Sequence, residues 1–327
     1  MAVRNQIIFI LVFSLSTSMA LSDPLDLTSK VIQLDPSQAG RTHVASMKYM
    51  GGLILTADDA RFGGWSGIEI AADGTHCWAV SDHGSWMKAE LKYDDAGRLS
   101  GTGAAEIARL NDVLGAKLYA KWYSDAEDLI RVSEDRVLVS FEHAHRVWSY
   151  KLEKGQLVGA AKPLAIPNWV QRAPQNGGIE AMTLLSDGRV LMIAERMRNE
   201  NNDFAGFIVD LKTNKSKSLF MVHHTEFEPT AMTTLAHGDL LVLERRYVPE
   251  GDQLFGRIRL VSKDSIRANS LLVGKEMALF ALPMTVDNFE GITSRSTKNG
   301  KSRVYLMSDN NFKPSQRTLL LQMEMGR

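Results

Sequence analysis

The sequence predicts an all-β fold, a β-propeller of five or six four-stranded blades closed by pairing the N- and C-terminal strands. Three observations predict it. A two-strand motif recurs along the chain, its leading glutamates fall about 50 to 60 residues apart, and each end carries a strand pattern without a local partner.

The clearest copy of the motif runs from Gly178-Ile179-Glu180 through the turn Ser186-Asp187-Gly188 to Val190–Glu195. An Asp-Gly pair between two apolar runs is a strong hairpin signal. Related copies begin at Gly67-Ile68-Glu69, Ala126-Glu127-Asp128, Phe227-Glu228 and Phe289-Glu290-Gly291, and end at Asp82, Glu142, Glu244 and Asp309. Strand-like runs at Met87–Tyr93, Val147–Leu152, Phe204–Leu211 and Arg257–Val261 supply the outer strands. A short helix is expected near Ala104–Leu118. Pairing Gly51–Thr56 with Thr318–Met323 closes the ring and removes two exposed edges. A β-sandwich or a pair of small β domains is the competing architecture, and the repeated motif argues against it.

The domain organisation reads as a signal peptide over residues 1–20, an N-terminal segment over 21–50 that contributes to a closing blade, and the propeller over 51–327. Arg4, the apolar run Ile7–Leu15 and Ser18-Met19-Ala20 make the export signal, with a retained anchor as the alternative. The expected location is therefore periplasmic or secreted. Lys+Arg and Asp+Glu are both 38, so the formal net charge is zero. That balance argues against a nucleic-acid partner and against any membrane association beyond export, and a monomer is expected. Cys77 is the single cysteine, which excludes an intramolecular disulfide, and it reads as a small buried hydrophobe.

In a propeller, the start of each innermost strand and the end of the next meet at one channel mouth. Glu69, Glu127, Glu180, Glu228 and Glu290 take the first place, and Asp82, Glu142, Glu195, Glu244 and Asp309 the second. The hairpin turns set Glu180 directly opposite Glu195, and Glu127 directly opposite Glu142. Like charges so placed repel, which raises carboxylate pKa values or calls for cations. Oxygen-only donors select hard ions, and flexible carboxylates favour calcium. Two alternatives stand: a buried glutamate accepting backbone N–H bonds from the next blade, and Arg–Glu pairs that neutralise the ring without a ligand. His83, His143, Arg146, Arg196, Arg245 and Arg246 follow the acidic strand ends, which suits a metal and an anionic group together.

These residues resemble the phytase-like family, also described as esterase-like activity of phytase. The resemblance rests on Phe62–Ile68, Ser81-Asp82-His83-Gly84, Asn176–Met182, Leu243–Arg246, Asp287–Ile292 and Tyr305–Phe312, and covers roughly residues 51 to 323. His83 departs from the arginine usual at that place. The resemblance implies an exported propeller related to calcium-dependent phosphomonoester hydrolases, with a small anionic ester or phosphate as substrate. In that scheme Arg196 and Arg245 stabilise a developing anion and His143 exchanges a proton. Trp65-Ser66-Gly67 lacks a nucleophile-elbow pattern. A non-catalytic periplasmic ligand-binding or scaffolding propeller with structural calcium, and a calcium-dependent lactonase, fit the same sequence.

Overall fold

The computed structural model describes residues 22–326, so the expected signal peptide lies outside the described residues. Five antiparallel sheets, each with a four-stranded core, make five blades, not six. Blade 1 is Trp65–Ile70, His76–Ser81, Ser85–Tyr93 and Leu99–Arg109. Blade 2 is Ala126–Ser133, Arg136–Phe141, Arg146–Glu153 and Gln156–Pro163, and blade 3 is Ile179–Leu184, Val190–Arg198, Phe204–Asp210 and Lys215–Met221. Blade 4 is Glu228–Thr234, Leu240–Val248, Gln253–Val261 and Gly274–Phe280. Blade 5 takes Asn288–Ser296, Ser302–Asp309 and Thr318–Met325 from the C-terminal end and Met47–Thr56 from the N-terminal end.

That last pairing is the expected closure: Thr318 faces Leu55 and Leu320 faces Leu53. The described part of the 21–50 segment makes no sixth blade: residues 47–50 open the closing strand of blade 5, and the strands before it extend sheet edges. Asp23–Leu25 pairs with the outer strand of blade 1, and Thr28–Val31 with the outer strand of blade 5. The helix expected near Ala104–Leu118 is absent. Residues 104–109 lie in the outer strand of blade 1, paired on both sides by Ser85–Tyr93 and Asp23–Leu25, and those ladders override the weak helical pattern. The one α-helix among the described residues is a single turn, Lys121–Ser124, leading into blade 2.

The core is divided as a closed ring requires. Five apolar clusters fill the five interfaces between neighbouring blades, where an open array of five would have four. Between blades 5 and 1, for example, Tyr305, Met307 and Leu320 meet Trp65, Ile68 and Cys77, and Cys77 is fully buried as a free thiol. Burial of this kind stabilises by about 25 cal/mol per Å² of apolar surface, and it fixes each innermost strand beside the channel. No described helix is long and apolar enough to cross a membrane.

Candidate functional site

The innermost strand of every blade breaks register with its neighbour near its start. The shifts fall between Trp65 and Gly67, between Ala126 and Leu129, between Ile179 and Ala181, between Pro229 and Ala231, and between Phe289 and Gly291. A bulge of this kind re-aims the extra residue. The residues so presented are Ser66, Glu127, Glu180, Thr230 and Glu290.

The expected direct pairing of Glu180 with Glu195 is therefore corrected. Ile179 faces Ala194 and Ala181 faces Ile193, so Glu180 sits on a bulge beside Glu195. In blade 2, likewise, Ala126 faces Phe141 and Leu129 faces Val139, so Glu127 is not directly opposite Glu142. The second place in each blade belongs to the residue one past the partner of the residue before the bulge: Asp82, Glu142 and Glu195, which lie just beyond the ladder, and Arg245 and Asp309, which still pair with Glu228 and Asn288. In blades 1, 2 and 3 these residues donate their backbone N–H to Gly64, Asp125 and Gly178.

Three expected ring members stand elsewhere. Glu69 pairs with Trp78 three residues further along its strand, and lines a separate 170 Å³ cavity with Arg131, Thr183, Thr233 and Thr293. Burial pushes its carboxyl up to about 8, aided by the nearby Asp128. Glu228 precedes its bulge by two residues and lies 3.6 Å from Arg198 and 3.5 Å from Arg196. Glu244 faces Pro229, one residue out of step with the other strand ends, so its side chain leaves the mouth and enters the blade 4 interior. There Arg257 Nε donates to it at 2.6 Å and Arg259 pairs with its other oxygen. Arg245 occupies the ring place that the pattern gave to an acid.

The seven remaining carboxylates meet in one open cavity of about 270 Å³. Asp82, Glu127, Glu142, Glu180, Glu195, Glu290 and Asp309 line it with Asp125, Lys121, His143, Arg196 and Arg245. Gly64 makes room for one of them. Its φ is +64°, and a Cβ there would lie 1.8 Å from Asp82 Oδ1. Glu142 is fixed by the next blade, since the backbone N–H of Gly178 donates to its Oε1 at 2.7 Å and Gly177 donates to the same atom.

The electrostatics are those of crowded buried acids. Burial holds Glu180 well above the usual carboxylate range, and the charges of Glu127, Glu142 and Glu195 add to it. Glu127 is raised by burial and then by Asp125 and Glu142. Burial pushes Glu195 to about 8 against the opposing pull of Arg245, and pushes Asp309 to about 7 with help from Asp82. Arg245 lies 3.6 Å from Glu195 and pairs with Glu290, whose charges hold its guanidinium above its ordinary value despite burial. Oxygens of Asp125, Glu127 and Glu142 lie within 4.8 Å of one another, as do those of Glu142, Glu180 and Glu195. All-oxygen carboxylate sets of this spacing fit a hard divalent cation.

The expected catalytic residues also reach the cavity. His143 Nε2 is 3.0 Å from Asp125 Oδ2. Arg196 lies 3.1 Å from Glu195 with its side chain 44% exposed, and is shared with a larger cavity of about 650 Å³ lined also by Arg246, Lys313 and Arg317. Sequence reasoning missed Asp125 and Lys121, and it weighed Ser66 only as a nucleophile, not as a residue of the mouth. Asp125 had a local signal, because it precedes Glu127 by two as Asn288 precedes Glu290. Lys121 had none, since it comes from a turn outside the repeat.

The chain is similar to the PQQ-bound aldose sugar dehydrogenase of Streptomyces coelicolor, at 10% identity over 90% of this chain and 98% of that one, with a TM-score of 0.44. It is similar to a putative 6-phosphogluconolactonase of Bacteroides fragilis, at 11% identity over 90% and 89%, with a TM-score of 0.37. It is also similar to the endo-arabinase of Bacteroides thetaiotaomicron, at 9% identity over 80% and 94%, with a TM-score of 0.46. Likenesses of this order say nothing of chemistry. No curated protein matches the chain. The family profile for phytase-like proteins, described as esterase-like activity of phytase, matches residues 60–312, the region that holds all five innermost strands and every ring residue, and the chain belongs to that family.

Proposed function

We propose that this chain is an exported, calcium-dependent hydrolase of small anionic esters, phosphate or carboxylic. The observation that supports this most is convergence: seven ring carboxylates, Asp125, His143 and Arg196 face a single open cavity. Glu142, Glu180 and Glu195 are the residues that would hold the ion, and Asp125 and Glu127 make a second carboxylate set with Glu142. When bound, a divalent cation polarises an ester oxygen and lowers the pKa of bound water.

The chain's own residues divide the remaining work. Arg196 is the more exposed of the two ring arginines and borders both cavities, so it is placed to meet the anionic group of a substrate. Arg245 holds Glu195 and Glu290 in position, a bracing role that leaves less of its charge for a ligand. Asp125 beside His143 Nε2 favours the proton on that nitrogen and leaves Nδ1 as the acceptor. Export rests on Arg4, the apolar run and Ala20 at the N-terminus.

The engagement of Arg245 favours a second reading, a ligand-binding propeller in which calcium is structural. Hydrolysis of phytate, p-nitrophenyl phosphate and p-nitrophenyl acetate, with calcium and then with chelator, separates the two. The hydrolase reading expects calcium-dependent turnover that Glu180→Gln abolishes. No turnover on any ester, with chelator lowering only the melting temperature, would leave the binding reading in its place.

A further inference from the structure

We propose that the mouth contains two unequal cation positions that share Glu142, and that Lys121 is a tethered competitor keeping one of them closed. The chain would then take one calcium ion where its carboxylates alone would take two. This rests on the reading of the mouth as a metal centre.

The two carboxylate triads have one member in common. Asp125, Glu127 and Glu142 form the first, and Glu142, Glu180 and Glu195 the second. Glu142 gives Oε1 to two backbone N–H groups of the next blade, which orients the carboxylate between the two.

The triads differ in what already fills them. In the first, the Lys121 ammonium lies 2.5 Å from Asp125 Oδ1, 2.9 Å from Asp82 Oδ2 and 3.0 Å from the Asp82 carbonyl. All three ammonium protons have an oxygen acceptor. The other Asp125 oxygen is 3.0 Å from His143 Nε2. Both donor atoms of Asp125 are therefore committed to protein cations or donors.

In the second triad, Glu180 is 7% exposed and has no cationic side chain in ion-pair contact among the described residues. It faces Glu127, Glu142 and Glu195, and it lines the cavity. Arg245 is near enough to feel its charge but is bonded to Glu290 and stands 3.6 Å from Glu195, so Glu180 is a buried carboxylate among acids with no cation in direct contact, a donor that suits a divalent ion. Arg196 and Arg245 reach Glu195, but each is shared, with Glu228 and Glu290.

Lys121 is suited to act as a displaceable plug. Its side chain is 48% exposed and sits on a single helical turn ahead of blade 2, not on a strand. An ammonium is monovalent and needs a longer contact than calcium, whose oxygen ligands lie at about 2.3–2.6 Å. Removing it would leave Asp82 and Asp125 without that cation beside Glu127.

The test is isothermal titration of CaCl2 into the full mature chain, stripped of metal by chelator and dialysed, with circular dichroism to show that each variant is folded. The expected result is one ion for the wild type and for Lys121→Arg, and two for Lys121→Met. Adding Asp125→Asn to Lys121→Met should return the count to one, and Glu142→Gln should lose binding at both positions. The metal-free Lys121→Met protein should also melt lower and recover with calcium. Two ions in the wild type, or one in Lys121→Met, would overturn the role of Lys121 and leave the metal centre standing. No calcium bound by any form would overturn the metal centre itself, and this inference with it.

Discussion

Blades 3 and 4 each bury a glutamate on an inner strand, Glu180 and Glu244, and the two have opposite needs. Glu244 in blade 4 lies between Arg257 and Arg259, with both carboxylate oxygens bonded. Burial raises its pKa, and the two guanidinium groups pull it back. Glu180 in blade 3 has acids as its strongest neighbours and no cation in ion-pair contact, the nearest charge of opposite sign being Arg245, which is bonded to Glu290. A carboxylate completed by its own protein requires nothing more, whereas one surrounded by like charge requires a proton or an added cation. The sign of the nearest neighbours therefore separates a structural acid from a candidate ligand better than burial does.

The largest effect should come from breaking the closed acid. Glu244→Ala would leave Arg257 and Arg259 buried without their counter-charge, at a cost of about 3–5 kcal/mol. Urea unfolding should show that loss, and the calcium-induced shift in melting temperature should stay as it is in the wild type. If Glu244→Ala instead removed the calcium response, the separation between blades 3 and 4 would be wrong.

The open acid should behave in the reverse way. Calcium at a hundred times its Kd should stabilise the wild type by about 2.7 kcal/mol. Glu180→Gln should melt no lower than wild type without metal, because it removes a charge from a like-charged cluster, and should gain nothing from calcium. Differential scanning calorimetry in chelator and in calcium measures both. A Glu180→Gln protein that still gained the full calcium increment would place the ion elsewhere.

A smaller effect should appear as a pH dependence of the metal-free protein. Glu195 is raised to about 8 and Asp309 to about 7 in the fold, against about 4.3 and 3.9 in the unfolded chain. The folded state thus holds more protons than the unfolded state between about pH 4 and 8, and stability must fall as pH rises through that window. Calcium should flatten the slope at pH 8 by making the ionised forms favourable. A metal-free melting temperature that rose from pH 5 to 8 would show that the mouth is already neutralised from within.

The reach of the sequence can be judged from the same residues. Asp82, Glu142, Glu195 and Asp309 were legible as strand ends because an acid follows an apolar run in each copy. Their convergence followed from the propeller itself. Glu69 and Glu228 were drawn into the ring by aligning glutamates, while the bulges select Ser66 and Thr230 in those blades. A strand alternates its faces, so a shift of one residue turns a side chain away from the mouth. That is why Arg245 points into the ring and Glu244 away from it.

The sequence by itself determined the blade repeat, the pairing of the two chain ends and the acidic character of the mouth. Those properties reside in local patterns: alternating apolar strands, Asp-Gly turns and a recurrent acid after each hairpin. Only the tertiary structure decided the number of blades, the register at the five bulges and the entry of Asp125 and Lys121. These depend on how separate segments lie against one another, since Asp23–Leu25 and Thr28–Val31 extend existing sheets and Lys121 reaches Asp82 across 39 residues. No period in the chain encodes such contacts, because the packing between blades sets them.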